Sequence, residues 1–256
     1  MNLSSWCLPF VLMITGCGLA FAQSPSPADL VIQIPFQEAE LTLDGILDEP
    51  VWAKIPPLPA MKENQSGNPA RDQTTIKLWY DNDALYLGWE CLDRDIQATY
   101  TKHDSQLWDE EVVEFFIAPV STISAPGVLD YYELQWNPLG TMFDAIIHNT
   151  LKADGLSKSM KGDWDWTAKG MRCAVRVDGT VGQAGDKDTA WHVEVLLPFS
   201  ALEQSTPKAG TIWRGNLYRY SRDTGLEIEY QALQATCTPS FHQPKSFVSF
   251  VFGPQE

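Results

Sequence analysis

Ile76-Lys77-Leu78-Trp79-Tyr80-Asp81-Asn82-Asp83-Ala84-Leu85-Tyr86-Leu87-Gly88-Trp89-Glu90-Cys91 is the stretch whose reading decides the fold. Two apolar runs flank the turn Asp81-Asn82-Asp83-Ala84, and in the second run Leu85, Leu87, Trp89 and Cys91 fall on one face at period two, which predicts a β-hairpin. Working outward, similar short runs recur at Val112–Ile117, Tyr131–Trp136, Met142–Ile147, Arg172–Val177, Trp191–Leu197, Leu217–Ser221, Ile228–Leu233 and Phe247–Phe252. Long stretches of period 3.6 are absent. Many short strands separated by Gly, Pro and Asp turns predict an all-β chain folded as a two-sheet antiparallel β-sandwich, jelly-roll-like. One or two short helices interrupt it, the first with Pro50 in its first turn, Asp48 as cap and Trp52 as its buried ring, the second a turn at Pro198–Leu202. The stretches Pro119–Leu129 and Leu151–Trp166 lack periodicity and read as long loops, the usual seat of binding residues on a sandwich. Trp52, Trp89 and Trp191 are assigned to the core.

The chain has 256 residues, 44% of them hydrophobic, with ten Trp, eight Tyr and eleven Phe. That suffices for a large core with rings left over for a ligand face. Eighteen basic against thirty-three acidic residues give a net charge of −15 with no basic run. Such a field repels nucleic acid and anionic membranes, so neither is expected as a partner, and it is indifferent to neutral sugars and favourable to calcium.

Residues 1–22 read as an export signal, since the apolar run Cys7–Ala22 is too short for a comfortable membrane span. Two processing patterns overlap there. Ala20-Phe21-Ala22 before Gln23 fits signal peptidase I, and Ile14-Thr15-Gly16-Cys17 resembles a lipobox that would leave Cys17 lipidated, the one route to a membrane. Residues 23–30, rich in Ser and Pro, form a linker, and the domain is expected over 31–256. Cys91, Cys173 and Cys237 then permit one disulfide and one thiol in an exported protein. No Cys/His cluster suggests zinc, and no cofactor is implied.

Six blocks in order carry a resemblance to a known family: Leu43-Asp44-Gly45-Ile46-Leu47-Asp48-Glu49-Pro50-Val51-Trp52, Leu78–Leu87, Leu107-Trp108-Asp109-Glu110-Glu111 leading into Val112–Ile117, Tyr131–Gly140, Trp213–Arg219 and Phe241–Phe247. Together they make residues 38–253 resemble carbohydrate-binding module family 9, a DOMON-like β-sandwich. The resemblance implies a non-catalytic module that clamps a sugar ring between two aromatic side chains. Trp108 falls at the first clamp position, and Phe241 stands where the family has an opposing Trp. Glu114 matches a carboxylate that accepts hydrogen bonds from sugar hydroxyls. Gln135 stands in place of a sugar-binding Arg, Tyr218 in place of a Gln and Thr238 in place of an Asn. Structural calcium occurs in the family.

The residues support the same site on physical grounds, because a pyranose needs a flat ring for its C–H face and amides, carboxylates or Arg at its polar rim. Period two sets Glu114 among apolar neighbours opposite Val113, Phe115 and Ile117, so burial demands a partner, for which Arg219 is the candidate. Glu133 shares a face with Gln135. The ligand-binding residues are thus expected to be Trp108, Glu114, Gln135, Tyr218, Arg219 and Phe241, with Trp164 and Trp166 either extending the platform or pinning their own loop. Against this stand four plainer readings: a structural Glu114–Arg219 ion pair, a partner-binding sandwich without sugar affinity, a glycoside hydrolase with paired carboxylates, and a haem sandwich using His103, Met142 or His148. Asp109-Glu110-Glu111 and Asp81-Asn82-Asp83 are calcium candidates or solvated acidic turns.

Overall fold

The structure, a computed structural model, describes residues 30–119, 127–183 and 186–255. The expected signal, lipobox and most of the linker lie outside the described residues, as does most of the loop expected from Pro119. Among the described residues thirteen strands are found: β1 (Val31–Ile34), β2 (Lys62–Glu63), β3 (Thr74–Tyr80), β4 (Ala84–Leu92), β5 (Val112–Ala118), β6 (Val128–Trp136), β7 (Met142–Leu151), β8 (Ser157–Asp163), β9 (Arg172–Asp178), β10 (Ala190–Pro198), β11 (Ile212–Ser221), β12 (Glu229–Ala232) and β13 (Val248–Phe252). They form two sheets. The larger runs β1-β13-β11-β5-β6-β7-β8 with β12 and β2 attached to β11, and the smaller runs β3-β4-β10-β9. Pairing is antiparallel throughout except that β1 lies parallel to β13. Among the described residues no helix is long and apolar enough to cross a membrane.

Between the sheets the alternating faces meet as the period-two reading requires. Leu87, Trp89 and Val193 from the small sheet pack with Phe115, Leu134 and Phe250 from the large one, all fully buried. Each such side chain contributes roughly 1.5–3 kcal/mol by leaving water, so this layer dominates the stability of the sandwich. Trp52, Trp89 and Trp191 are all fully buried, as assigned.

The first quoted family block closes the outer face of the small sheet. Helix α1 (Pro50–Lys54) sets Trp52 edge-on against Trp79, with ring centres 6.0 Å apart. The Trp52 Nε1–H donates to Glu194 at 2.8 Å, and the other Glu194 oxygen accepts from the backbone N–H groups of Asp44 and Gly45. Gly45 has φ +83°, and a Cβ there would lie 2.7 Å from the Val175 backbone, so only glycine fits this close approach. The helix is capped differently from the expectation: Glu49, not Asp48, is the capping position, and its side chain accepts from Thr42 N–H rather than from the helix.

Three further expectations are corrected. The stretch Leu151–Trp166 is not one loop, because Ser157–Asp163 forms β8 at the edge of the large sheet. Two short strands, β1 and β2, were not read from the sequence. Cys91, Cys173 and Cys237 are all free. Cys91 on β4 and Cys173 on β9 are separated by β10, and two strand spacings of about 4.8 Å exceed the reach of a disulfide.

Candidate functional site

The large sheet turns a second face outward, and a second apolar cluster covers it. Strand register builds its floor. Tyr218, Glu114, Gln135 and Phe143 lie side by side across β11, β5, β6 and β7, and Asn216, Phe116, Glu133 and Ala145 form the next row. Glu114 and Glu133 are therefore diagonal neighbours on paired strands, both facing away from the sandwich interior.

Three segments build walls over this floor. Trp108 comes from a 3-10 turn, Leu107–Asp109, anchored by buried Leu107 and by Arg222, which donates to the carbonyls of Trp108 and Glu110 at 2.7 and 3.0 Å. Its ring stands edge-on to Phe143 at 5.2 Å and against Trp164 at 5.7 Å. Trp164 is 47% exposed and its indole lies over Gly162, where an added Cβ would come within 2.8 Å of the ring. Opposite, Phe241 stacks on Tyr218 with centres 4.1 Å and planes 12° apart. The floor pins this wall: Tyr218 donates to the Phe241 carbonyl at 2.9 Å, Asn149 to the His242 carbonyl at 3.2 Å, and Tyr131 hydrogen-bonds His242 Nδ1 at 2.7 Å. Behind it, the Asn64 side chain donates to Thr238 O and accepts from Thr236 N–H.

The result is a cavity of about 330 Å³ with Trp108, Trp164, Phe241, His242, Glu114 and Glu133 on its border. Both Trp108 and Phe241 border it, and no ring contact among the described residues joins them. Glu114 and Glu133 are 2% and 4% exposed. Burial first, then the neighbouring Glu133 charge, pushes the Glu114 carboxyl well above its usual range. Burial likewise raises Glu133 to about 8, against the opposing effect of a 2.6 Å hydrogen bond from Gln135 Nε2. Burial lowers His242 to about 4, so its ring is neutral at pH 7.

Of the residues expected at a ligand site, Trp108, Glu114 and Phe241 come together on the cavity. Gln135 and Tyr218 lie one layer down, fully buried, the first holding Glu133 and the second supporting Phe241. Arg219 is elsewhere. It pairs across β11–β5 with Val113 rather than Glu114, points into the sandwich and bonds Asp93 at 2.7 Å, Leu92 O at 3.0 Å and Thr74 Oγ1 at 3.1 Å. The expected Glu114–Arg219 pair is therefore not made. Tyr220, His242 and Met160 also border the cavity and were not anticipated; Tyr220 was available to reasoning, since it shares a face with Tyr218. Trp164 joins the border, whereas Trp166 packs on Tyr132 beneath its own loop.

The metal and haem candidates separate. Asp81 is occupied by its own turn and by Tyr86, and Glu110 by Thr99 and Tyr100. Glu111 instead meets Asp93 and Asp223, with oxygens of all three within 4.8 Å of one another. His103 lies between Asp104 and Asp144 near the start of β7, while His148 pairs with Asp130 towards its end.

A two-sheet sandwich carrying a ring-walled, acid-floored cavity on the outer face of one sheet is the architecture of a small-ligand binding module. The model of Carbohydrate-binding family 9 matches residues 53–252, and the chain belongs to that family. No curated protein matches it by sequence. Among solved structures it is similar to a Bacteroides uniformis ATCC 8492 protein for which carbohydrate binding is proposed, at TM-score 0.64 and 15% identity over 88% of this chain and 100% of that one. It is also similar to a family 9 carbohydrate-binding module from Caldicellulosiruptor kristjanssonii in complex with glucose, at TM-score 0.58 and 12% identity over 89% of this chain and 97% of that one. A family 9 module from the same organism in complex with cellotriose gives TM-score 0.55 and 14% identity over 89% and 95%. At such identities these likenesses establish the fold.

Proposed function

We propose that this chain is a non-catalytic carbohydrate-binding domain that holds a sugar ring between Trp108 and Phe241 above Glu114 and Glu133. The observation that carries the reading is the cavity itself, whose about 330 Å³ falls in the range of small-molecule sites and which sets two separated rings over a polar floor. The sugars bound by the Caldicellulosiruptor modules support the ligand class. Gln135 and Tyr218 act as positioning residues beneath the contact layer.

The paired carboxylates do not favour hydrolysis. A glycosidase sets its acid and its base or nucleophile on two sides of the scissile bond, whereas Glu114 and Glu133 are neighbours on one floor. Residues 1–22 support export, with release after Ala22 or lipidation at Cys17, and a role in polysaccharide capture at the cell envelope. Asp93, Glu111 and Asp223 are the residues that would hold a structural calcium ion, since Glu111 Oε2 and both Asp223 oxygens are buried without hydrogen-bond partners.

Isothermal titration of residues 23–256 against glucose, cellotriose and a wider sugar panel tests the reading. Binding that weakens strongly in Trp108→Ala is expected, and undiminished affinity in the Trp108→Ala/Phe241→Ala double variant overturns it. Mass spectrometry of the exported protein, with Cys17→Ser as comparison, separates cleavage after Ala22 from lipidation.

A further inference from the structure

The cavity floor holds two acids and no base. Glu114 and Glu133 extend from adjoining strands as diagonal neighbours, a spacing of about 7–8 Å or less between Cβ atoms, so one small group can meet both carboxylates. Among the described residues no Lys or Arg forms an ion pair with either. Gln135 Nε2 donates to Glu133, while burial and the Glu133 charge are the influences on Glu114. His242, the basic side chain on the border, is neutral and already bonded to Tyr131.

An unpaired buried carboxylate costs several kcal/mol, so the pair stays protonated while the site is empty. A neutral hydroxyl leaves that state unchanged. An ammonium group supplies three donors and a full charge, allows both acids to ionise, and sits in a cavity bordered by the rings of Trp108, Phe241 and Tyr220. The protein's charge of −15 draws such ligands in.

We propose that the cavity selects a sugar carrying a protonated primary amine, with the ammonium seated between Glu114 and Glu133. This inference rests on the reading of the cavity as a sugar site. Neutral sugars and their N-acetylated forms are the weaker ligands, because acetylation removes the charge.

The test is isothermal titration of the protein with glucose, galactose and mannose, their 2-amino-2-deoxy derivatives, and the N-acetyl forms of those derivatives. At least one amino sugar is expected to bind about ten-fold or more tightly than its parent, the scale of one hydrogen bond to a charged group. Glu114→Gln and Glu133→Gln, checked for folding by circular dichroism, should erase that preference, so that within each variant the amino sugar binds no more tightly than its parent. A second measurement needs no variant: repeating the titrations in buffers of different ionisation enthalpy should show protons released on binding the amino sugar and none on binding its parent. The other titratable groups facing the pair are Tyr131, Tyr218, Tyr220 and His242, with burial raising the tyrosines and lowering the histidine, so none changes charge near neutral pH. Parent sugars binding as tightly as their amines overturn the inference and leave the sugar site standing. An amine preference that survives both Gln variants, or that releases no proton, also overturns it. Silence from every sugar overturns both readings.

Discussion

Arg219 and Glu114 are near neighbours across two paired strands, yet they serve opposite faces of the large sheet. Inward, Arg219 meets Asp93 at 2.7 Å with both side chains fully buried, and close by Asp72 is held by Arg71 and Arg94 at 2.8 and 2.9 Å. Those same two arginines approach Asp223 at 3.6 and 3.8 Å. Four acids, counting Glu111, face three guanidinium groups, and burial together with the Asp93 charge raises the surplus acid, Glu111, to about 9. Outward, Glu114 and Glu133 are buried as deeply and have no guanidinium at all. The difference teaches that the inward acids Asp72, Asp93 and Asp223 are met by arginines of the chain itself, whereas the outward pair on the cavity floor is not.

The comparison breaks most easily at Arg219. Arg219→Ala strands Asp93 in the core and should cost about 3–5 kcal/mol of stability by urea unfolding; a loss under about 1 kcal/mol would show that the inward cluster does not depend on its arginine. Next comes pH. The carboxyl groups of Glu133 and Glu111 are raised above their unfolded value of 4.5, so the folded state binds more protons and stability falls as pH rises from about 4.5 through 8 to 9. In ligand-free protein each of these two groups should lower the unfolding free energy by an amount on the order of 3 kcal/mol between pH 5 and 8, and Glu133→Gln should remove about half of that slope. A flat profile in the wild type would mean that the outward pair is not held protonated.

Smaller effects sharpen the roles of the rings. Trp108→Ala should lower sugar affinity by about 2 kcal/mol, roughly thirty-fold, while changing stability by less than about 1 kcal/mol. Phe241 is 4% exposed and stacked on Tyr218, so Phe241→Ala should lower stability and affinity together. Trp164→Ala, at a half-exposed border position, should weaken binding only a few-fold in the same titration.

What could be read in the sequence follows from what alternation encodes. A strand such as Ala190–Pro198 announces itself because its large apolar residues Trp191, Val193, Val195 and Leu197 recur at period two. Ser157–Asp163 does not, since an edge strand facing water carries Ser, Lys and Gly without penalty. Parity within a strand also shows that Tyr218 and Tyr220 share a face opposite Arg219. It cannot show which of those faces lies beside Glu114, because that is set by the register between β11 and β5. The misplaced Arg219 is a register error, not an error of residue chemistry. Likewise, Trp108 and Phe241 come from segments more than a hundred residues apart, and only the resemblance to the family joined them in advance.

Gly162 borders the cavity through its neighbour rather than itself. With no Cβ it leaves a seat for the Trp164 indole, and a single methyl group there would evict the ring. The width of the mouth is thus set by an atom that is missing. The shape of the cavity can be retuned from behind its lining, by steric dosage at one backbone position, while the identity of every side chain that borders it stays the same.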